Sequence, residues 1–137
     1  MDTSTGGRIV RPLVAVLNTT EDVIALVCSV LEDEGYATVG AYIADFREGR
    51  RDLVTFFDTY KPDVVLFDLA IPYDVNWRFF QEQMLGGGFL PEERYVLMTT
   101  NLSGLKKFVD TIEAVEVIGK PFDLEQLVQA VRRAGTV

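Results

Sequence analysis

The chain has 137 residues, a length suited to one compact domain, and its 48% hydrophobic and 25% charged residues allow a packed core under an ordinary polar surface. A net charge of −8 argues against nucleic-acid backbones and anionic membrane surfaces as partners, because both recruit clustered Lys and Arg. With no histidine in the sequence, this chain alone cannot build a Ser-His-Asp or Cys-His nucleophile, a His-ligated zinc or a phosphohistidine carrier.

Residues 1–11 read as a flexible N-terminal tail and 12–137 as the domain. Met1 to Arg8 contains no apolar run that could act as a signal peptide. No stretch approaches the ~20 apolar residues that span a bilayer, so a cytoplasmic location is expected. Pro12 to Leu17 is a short apolar run rich in β-branched residues, the signature of a strand buried on both faces. Asn18-Thr19-Thr20 punctuates it. Thr20 is placed to cap a helix whose first turn carries Glu21 and Asp22, and whose apolar side repeats at Val23, Leu26, Val27, Val30 and Leu31 until Gly35. The lone cysteine, Cys28, falls in that pattern and reads as a buried apolar residue rather than a reactive thiol.

Ala37 to Tyr42 predicts a second strand. The segment from Ile43 to Arg50 then lengthens the connection; it reads as a solvated loop, with Arg47, Arg50 and Arg51 as candidates for contact with a partner. Leu53, Phe56, Phe57 and Tyr60 mark a second helix closed by Lys61-Pro62. Asp63 to Asp68 is a third strand closed by an acid, and Trp77, Phe80 and Met84 mark a third helix. Gly86-Gly87-Gly88 runs from helix to strand and has no Gly-Lys-Ser/Thr continuation, so it is a connection and not a phosphate cradle. Tyr95 to Met98 is a fourth strand, Leu102 to Ile112 a fourth helix and Val115 to Ile118 a fifth strand. Phe122 to Arg133 is a closing helix, opened by the capping-box pair Asp123 and Gln126.

Five alternating strand–helix units predict an α/β fold: a single (βα)5 doubly wound parallel sheet with helices on both faces. Such sheets hold their site at the carboxyl ends of the strands. Asn18-Thr19, Asp68 with the residues after it, Thr99-Thr100-Asn101 and Lys120-Pro121 should therefore converge on one edge.

Asp68 at the end of a strand followed by Leu69-Ala70-Ile71-Pro72, Thr99 closing the fourth strand, Lys120-Pro121-Phe122 after the fifth, and Leu-Glu-Asp-Glu-Gly-Tyr at 31–36 together resemble the receiver domains of two-component response regulators. The resemblance runs from about Leu13 to Arg133. It implies a flavodoxin-like sheet of order 2-1-3-4-5, with Asp68 as the phosphoacceptor. It also implies that Thr99 and Lys120 bind phosphoryl oxygens, that the Lys120-Pro121 peptide is cis, and that the Ala70 carbonyl joins Asp68 as a magnesium ligand. Phosphoryl transfer needs such groups, since its loose transition state spreads charge over the equatorial oxygens.

This sequence departs from the family pattern at the first loop, where the usual acidic pair is replaced by Asn18 and Thr19. At ~4 Å and an effective dielectric near 20, each missing carboxylate removes roughly 4 kcal/mol per unit charge of attraction. Magnesium, a hard cation that gives up water reluctantly, is expected to bind weakly if at all. Val117 stands where receivers often carry a switching aromatic, and Thr100 where a small residue is usual.

Two function classes follow: a pseudo-receiver acting by protein–protein docking in a phosphorelay, or an active receiver phosphorylated on Asp68 by a histidine kinase. An enzyme on the same fold is disfavoured by the lack of a phosphate-binding loop after the first strand. Read without the resemblance, Asp68 could simply cap the following turn with Lys120 as its surface partner. The expected partners are a histidine kinase or another signalling protein. A dimer through the face made by the fourth helix (Lys106, Lys107, Phe108), the fifth strand and the closing helix is a further candidate.

Overall fold

The computed structural model describes residues 11–99, 116–119 (backbone) and 123–135. The expectations for 1–10, Thr100, the fourth helix, Lys120-Pro121 and the Val117 side chain lie outside the described residues.

Five strands form one parallel sheet in the order β2-β1-β3-β4-β5. They are β1 (Leu13–Asn18), β2 (Ala37–Tyr42), β3 (Val64–Leu69), β4 (Tyr95–Thr99) and β5 (Glu116–Gly119). Alternation along the central strands divides the interior in two. Val14, Val16, Val64, Leu66, Val96 and Met98 face one layer, where α1 (Glu21–Asp33) and α5 (Leu124–Gly135) contribute Val27, Leu31, Leu127, Ala130 and Val131. Ala15, Leu17, Val65, Phe67, Tyr95 and Leu97 face the other, against Phe56 and Phe57 of α3 (Leu53–Tyr60) and Trp77 of α4 (Tyr73–Phe79). The doubly wound expectation therefore holds, with β1, β3 and β4 buried on both faces as their unbroken apolar runs require.

Local signals explain most of the boundaries. Asp52 caps α3, its carboxylate accepting from the Thr55 N–H at 2.9 Å. Asp123 and Gln126 close the predicted capping box reciprocally, at 2.7 and 3.2 Å. Arg11, the last residue of the supposed tail, donates to the carbonyls of Gly35 and Tyr36.

Three expectations need correction. The Thr20 side chain makes no capping bond; only its carbonyl enters the helix, accepting from Ile24 N–H. The helix after β3 does not stay α: from Phe80 to Leu85 it widens into a π-helix, a form that accommodates an extra residue in the turn. The Ile43–Arg50 segment is not a solvated loop. Ile43–Arg47 forms a short helix, α2, whose Ile43 and Phe46 are buried in the core, because these two apolar residues at helical spacing can reach the sheet together.

Candidate functional site

Besides the aromatic Tyr95 and Trp77, four polar side chains are buried among the described residues: Asn18, Asp68, Asn76 and Thr99. All belong to the carboxyl edge of the sheet. Asn18 ends β1 and Asp68 lies near the end of β3, each one step beyond the paired residues Leu17 and Phe67. Thr99 ends β4, paired with Leu69, while Asp68 pairs with Met98. Gly119, the last residue of β5, pairs with Thr99 in turn. Burying a polar group costs free energy unless it is hydrogen-bonded, so four in one place do not arise from core packing. The edge rule thus brings together Asn18, Asp68 and Thr99 as expected, with Ala70 in the loop after β3.

Asp68 is 2% exposed and Thr99 fully buried, and both are engaged in interactions. Asn18 is 1% exposed. Its Oδ1 accepts from the backbone N–H of Thr19 at 2.6 Å, which fixes the amide orientation because a backbone N–H can only donate. Its Nδ2 is left without a hydrogen-bond partner among the described residues. Thr19 is exposed, as are Glu21 and Asp22 in the first turn of α1. Glu21 and Asp22 thus belong to the first turn of α1 and not to the loop after β1.

The residue that the sequence reading missed is Asn76. It is 2% exposed, and its Nδ2 donates to the Ala70 carbonyl at 2.7 Å, the same oxygen implied as a metal ligand. Its Oδ1 accepts from Arg47 Nη1, brought in by α2. The available signal was a polar residue at i−4 from Phe80 and beside Trp77, inside the apolar stripe of the third helix.

These residues fit a hard divalent cation poorly. Such an ion needs oxygen lone pairs. Here Asp68 is the one carboxylate among the four buried polar residues, the first-loop side chain is a neutral amide whose oxygen faces Thr19, and the loop carbonyl would have to share its lone pairs with the Asn76 N–H. No cluster of three His, Cys, Asp or Glu suited to a metal occurs among the described residues.

Around the edge, Ile71 is 76% exposed and Val75 41%, an apolar rim beside Asp68. The Ile71-Pro72 peptide is cis. Away from the edge, burial pushes the Cys28 thiol up, consistent with its inert reading. No helix among the described residues is long and apolar enough to cross a membrane.

No family model matches the chain. Protein Rrf1 of Nitratidesulfovibrio vulgaris is 31% identical over 123 residues, spanning 88% of this chain and 80% of that protein. Among solved structures, the chemotaxis response regulator CheY4 of Vibrio cholerae superposes with a TM-score of 0.67 at 23% identity, covering 91% of this chain and 99% of that one. A response regulator from Thermotoga maritima gives 0.70 at 18% identity, covering 93% and 100%. A response regulator receiver protein from Burkholderia phymatum gives 0.71 at 21%, covering 93% and 97%. With the strand order and the shared edge of Asp68 and Thr99, these likenesses lead to one conclusion: the chain belongs to the response-regulator receiver family.

Proposed function

We propose that this receiver is a docking module in a two-component or phosphorelay pathway, one that keeps Asp68 at the phosphoacceptor position without a working magnesium site. The observation that carries this reading is Asn18. A buried amide, turned so that its oxygen serves Thr19, stands where an acid would have to bind the metal. Without that charge, the equatorial phosphoryl oxygens would lose their divalent counter-ion. What remains is a receiver fold with Ile71 and Val75 exposed close to Asp68 in sequence, in keeping with binding another signalling protein rather than with turnover chemistry.

Incubation with acetyl phosphate and magnesium, read by intact mass, should leave the protein unmodified. Stoichiometric, stable addition of one phosphoryl group at Asp68 would overturn the proposal. A second reading has its own support: Asp68 and Thr99 lie one register step apart on adjacent strands, and Lys120 follows Gly119 in sequence, so the phosphoacceptor, hydroxyl and lysine of an active receiver all survive. In that case a histidine kinase partner would supply the positioning that the metal lacks, and phosphorylation would occur with the kinase although it fails with the small donor.

A further inference from the structure

Arg47 and Asn76 form a part-buried polar chain that ends on the loop after Asp68. Arg47 Nη1 donates to Asn76 Oδ1, and Asn76 Nδ2 donates to the Ala70 carbonyl at 2.7 Å. Asn76 is 2% exposed, so both ends of its amide are satisfied inside the protein. We propose that Arg47 and Asn76 are a built-in cationic clip that stands in for a divalent ion, holding the loop after Asp68 through the Ala70 carbonyl.

The clip has a rigid base. Ile43 and Phe46 anchor α2 in the core at 1% and 7% exposure. The Arg51 guanidinium lies over the rings of Phe46 and Phe56, 5.3 and 5.1 Å from their centroids. Arg50 ties Asp45 and Glu48 together at 2.8 and 2.7 Å, and the Arg51 N–H donates to the Asp45 carbonyl. Arg47 itself has only a loose ionic neighbour, Glu48 at 3.9 Å, so its charge is not spent on a close carboxylate among the described residues.

The chemistry favours the substitution. A charge-assisted bond from guanidinium to the amide oxygen draws density from the amide and makes its N–H a stronger donor toward Ala70. The loop is thereby held by a positive charge that needs no acidic pair to bind it, which matches Asn18 and Thr19 on the first loop. A magnesium ion approaching the same carbonyl would have to share it with the Asn76 N–H, already bonded there. Arg47 is a positioning residue in this scheme, acting on the loop only through Asn76.

The inference rests on the docking reading, but its test is separate. In a background with the acids restored, Asn18→Asp/Thr19→Asp, magnesium alone is titrated and followed by the fluorescence of Trp77, the chain's single tryptophan. Arg47→Met in that background should tighten magnesium by about tenfold, because it weakens the Asn76 N–H bond that competes with the ion for the Ala70 carbonyl. Asn76→Ala should do the same, and the two together should do no more than either alone, because both act through one carbonyl. Arg47→Lys, which keeps the charge but not the planar donor, should fall between. A merely structural contact would give unchanged or weaker binding on removal, and that result overturns the clip. If the diacid background does not fold, the exposed Thr19→Asp alone serves, with the same expected order and the same overturning result. Phosphorylation of the wild-type chain with magnesium would defeat the docking reading while leaving the difference between clipped and unclipped variants to decide the clip.

Discussion

The two edges of the sheet are built in opposite ways. At the amino edge, where helices return to strands, the chain closes with backbone bonds and with exposed side chains bonded to backbone, Arg11 to the Gly35 and Tyr36 carbonyls and the Leu13 N–H to the Asp63 carboxylate. Gly35 N–H donates to Glu32, Tyr36 N–H to Leu31 and Ala37 N–H to Pro12, and Lys61 N–H donates to Phe57. Positive φ angles at Gly35 (96°), Lys61 (48°) and Gly88 (69°) turn the chain, and Lys61 is exposed. At the carboxyl edge the turns hide polar side chains instead: Asn18, Asp68, Asn76 and Thr99. A fold can close its turns cheaply with backbone and exposed side chains, as the first edge does. The second edge carries desolvated polar groups that closure does not require, which is why it is where function should be sought.

The sharpest way to break the contrast is to charge the buried side of it. Asn18→Asp puts a carboxylate, 1% exposed in the parent residue, on the strand adjacent to Asp68. A buried charge with no cationic partner among the described residues costs about 3 kcal/mol, and removal of the Nδ2 donor, unpartnered among those residues, returns about 1 kcal/mol, so the net loss at pH 7 should be about 2 kcal/mol. The new acid would be held protonated more readily in the folded state than in the unfolded one. Stability should therefore recover as pH falls, the reverse of an ion-paired acid. Urea unfolding at pH 7 and pH 5 measures both. Wild-type stability at both pH values would mean that the carboxyl edge is wet and the contrast false.

Legibility in the sequence follows the same division. The body was readable because its rules are periodic: the apolar runs at 13–17 and 64–67 announce buried strands, and Gly35 and the Asp123–Gln126 pair announce helix ends. The placing of Asn18, Asp68 and Thr99 on one edge was readable because the edge rule needs only strand ends. Asn76 and Arg47 were not, since their meaning depends on a contact 29 residues apart in sequence between two elements, one of them too short to show a period. Apolar residues at 77, 80 and 84 fit an α-helix and a π-turn about equally well, so the widening after Phe79 left no trace in the pattern.

At the amino edge a smaller loss is expected, and of a different kind. A Cβ at Gly35 would meet nothing within 4 Å, so Gly35→Ala carries no clash and only the penalty of φ 96°. That amounts to about 1 kcal/mol, with no pH dependence and no change in ligand behaviour. A loss well above this, measured by urea unfolding, would show that the turn does more than reverse the chain.

The smallest effect concerns chemistry placed on neither edge. Cys28, on α1, packs partly buried against the layer that includes Val27 and Leu31. Burial is the leading cause that raises its thiol, Glu32 adds to it, and the Thr38 hydroxyl opposes it. The thiolate fraction at a given pH is then lower than in the unfolded chain. Alkylation by iodoacetamide at pH 8 should accordingly be slower in the folded protein than in urea, and its rate should keep climbing as pH rises past 9.0, the ordinary value for the group. The linked effect on stability has a defined sign: any contribution from the protonated thiol is complete at low pH and disappears as pH rises through the raised value. A folded-state rate equal to or above the denatured one would put a reactive nucleophile in the body of the fold, and the confinement of chemistry to the carboxyl edge would fail.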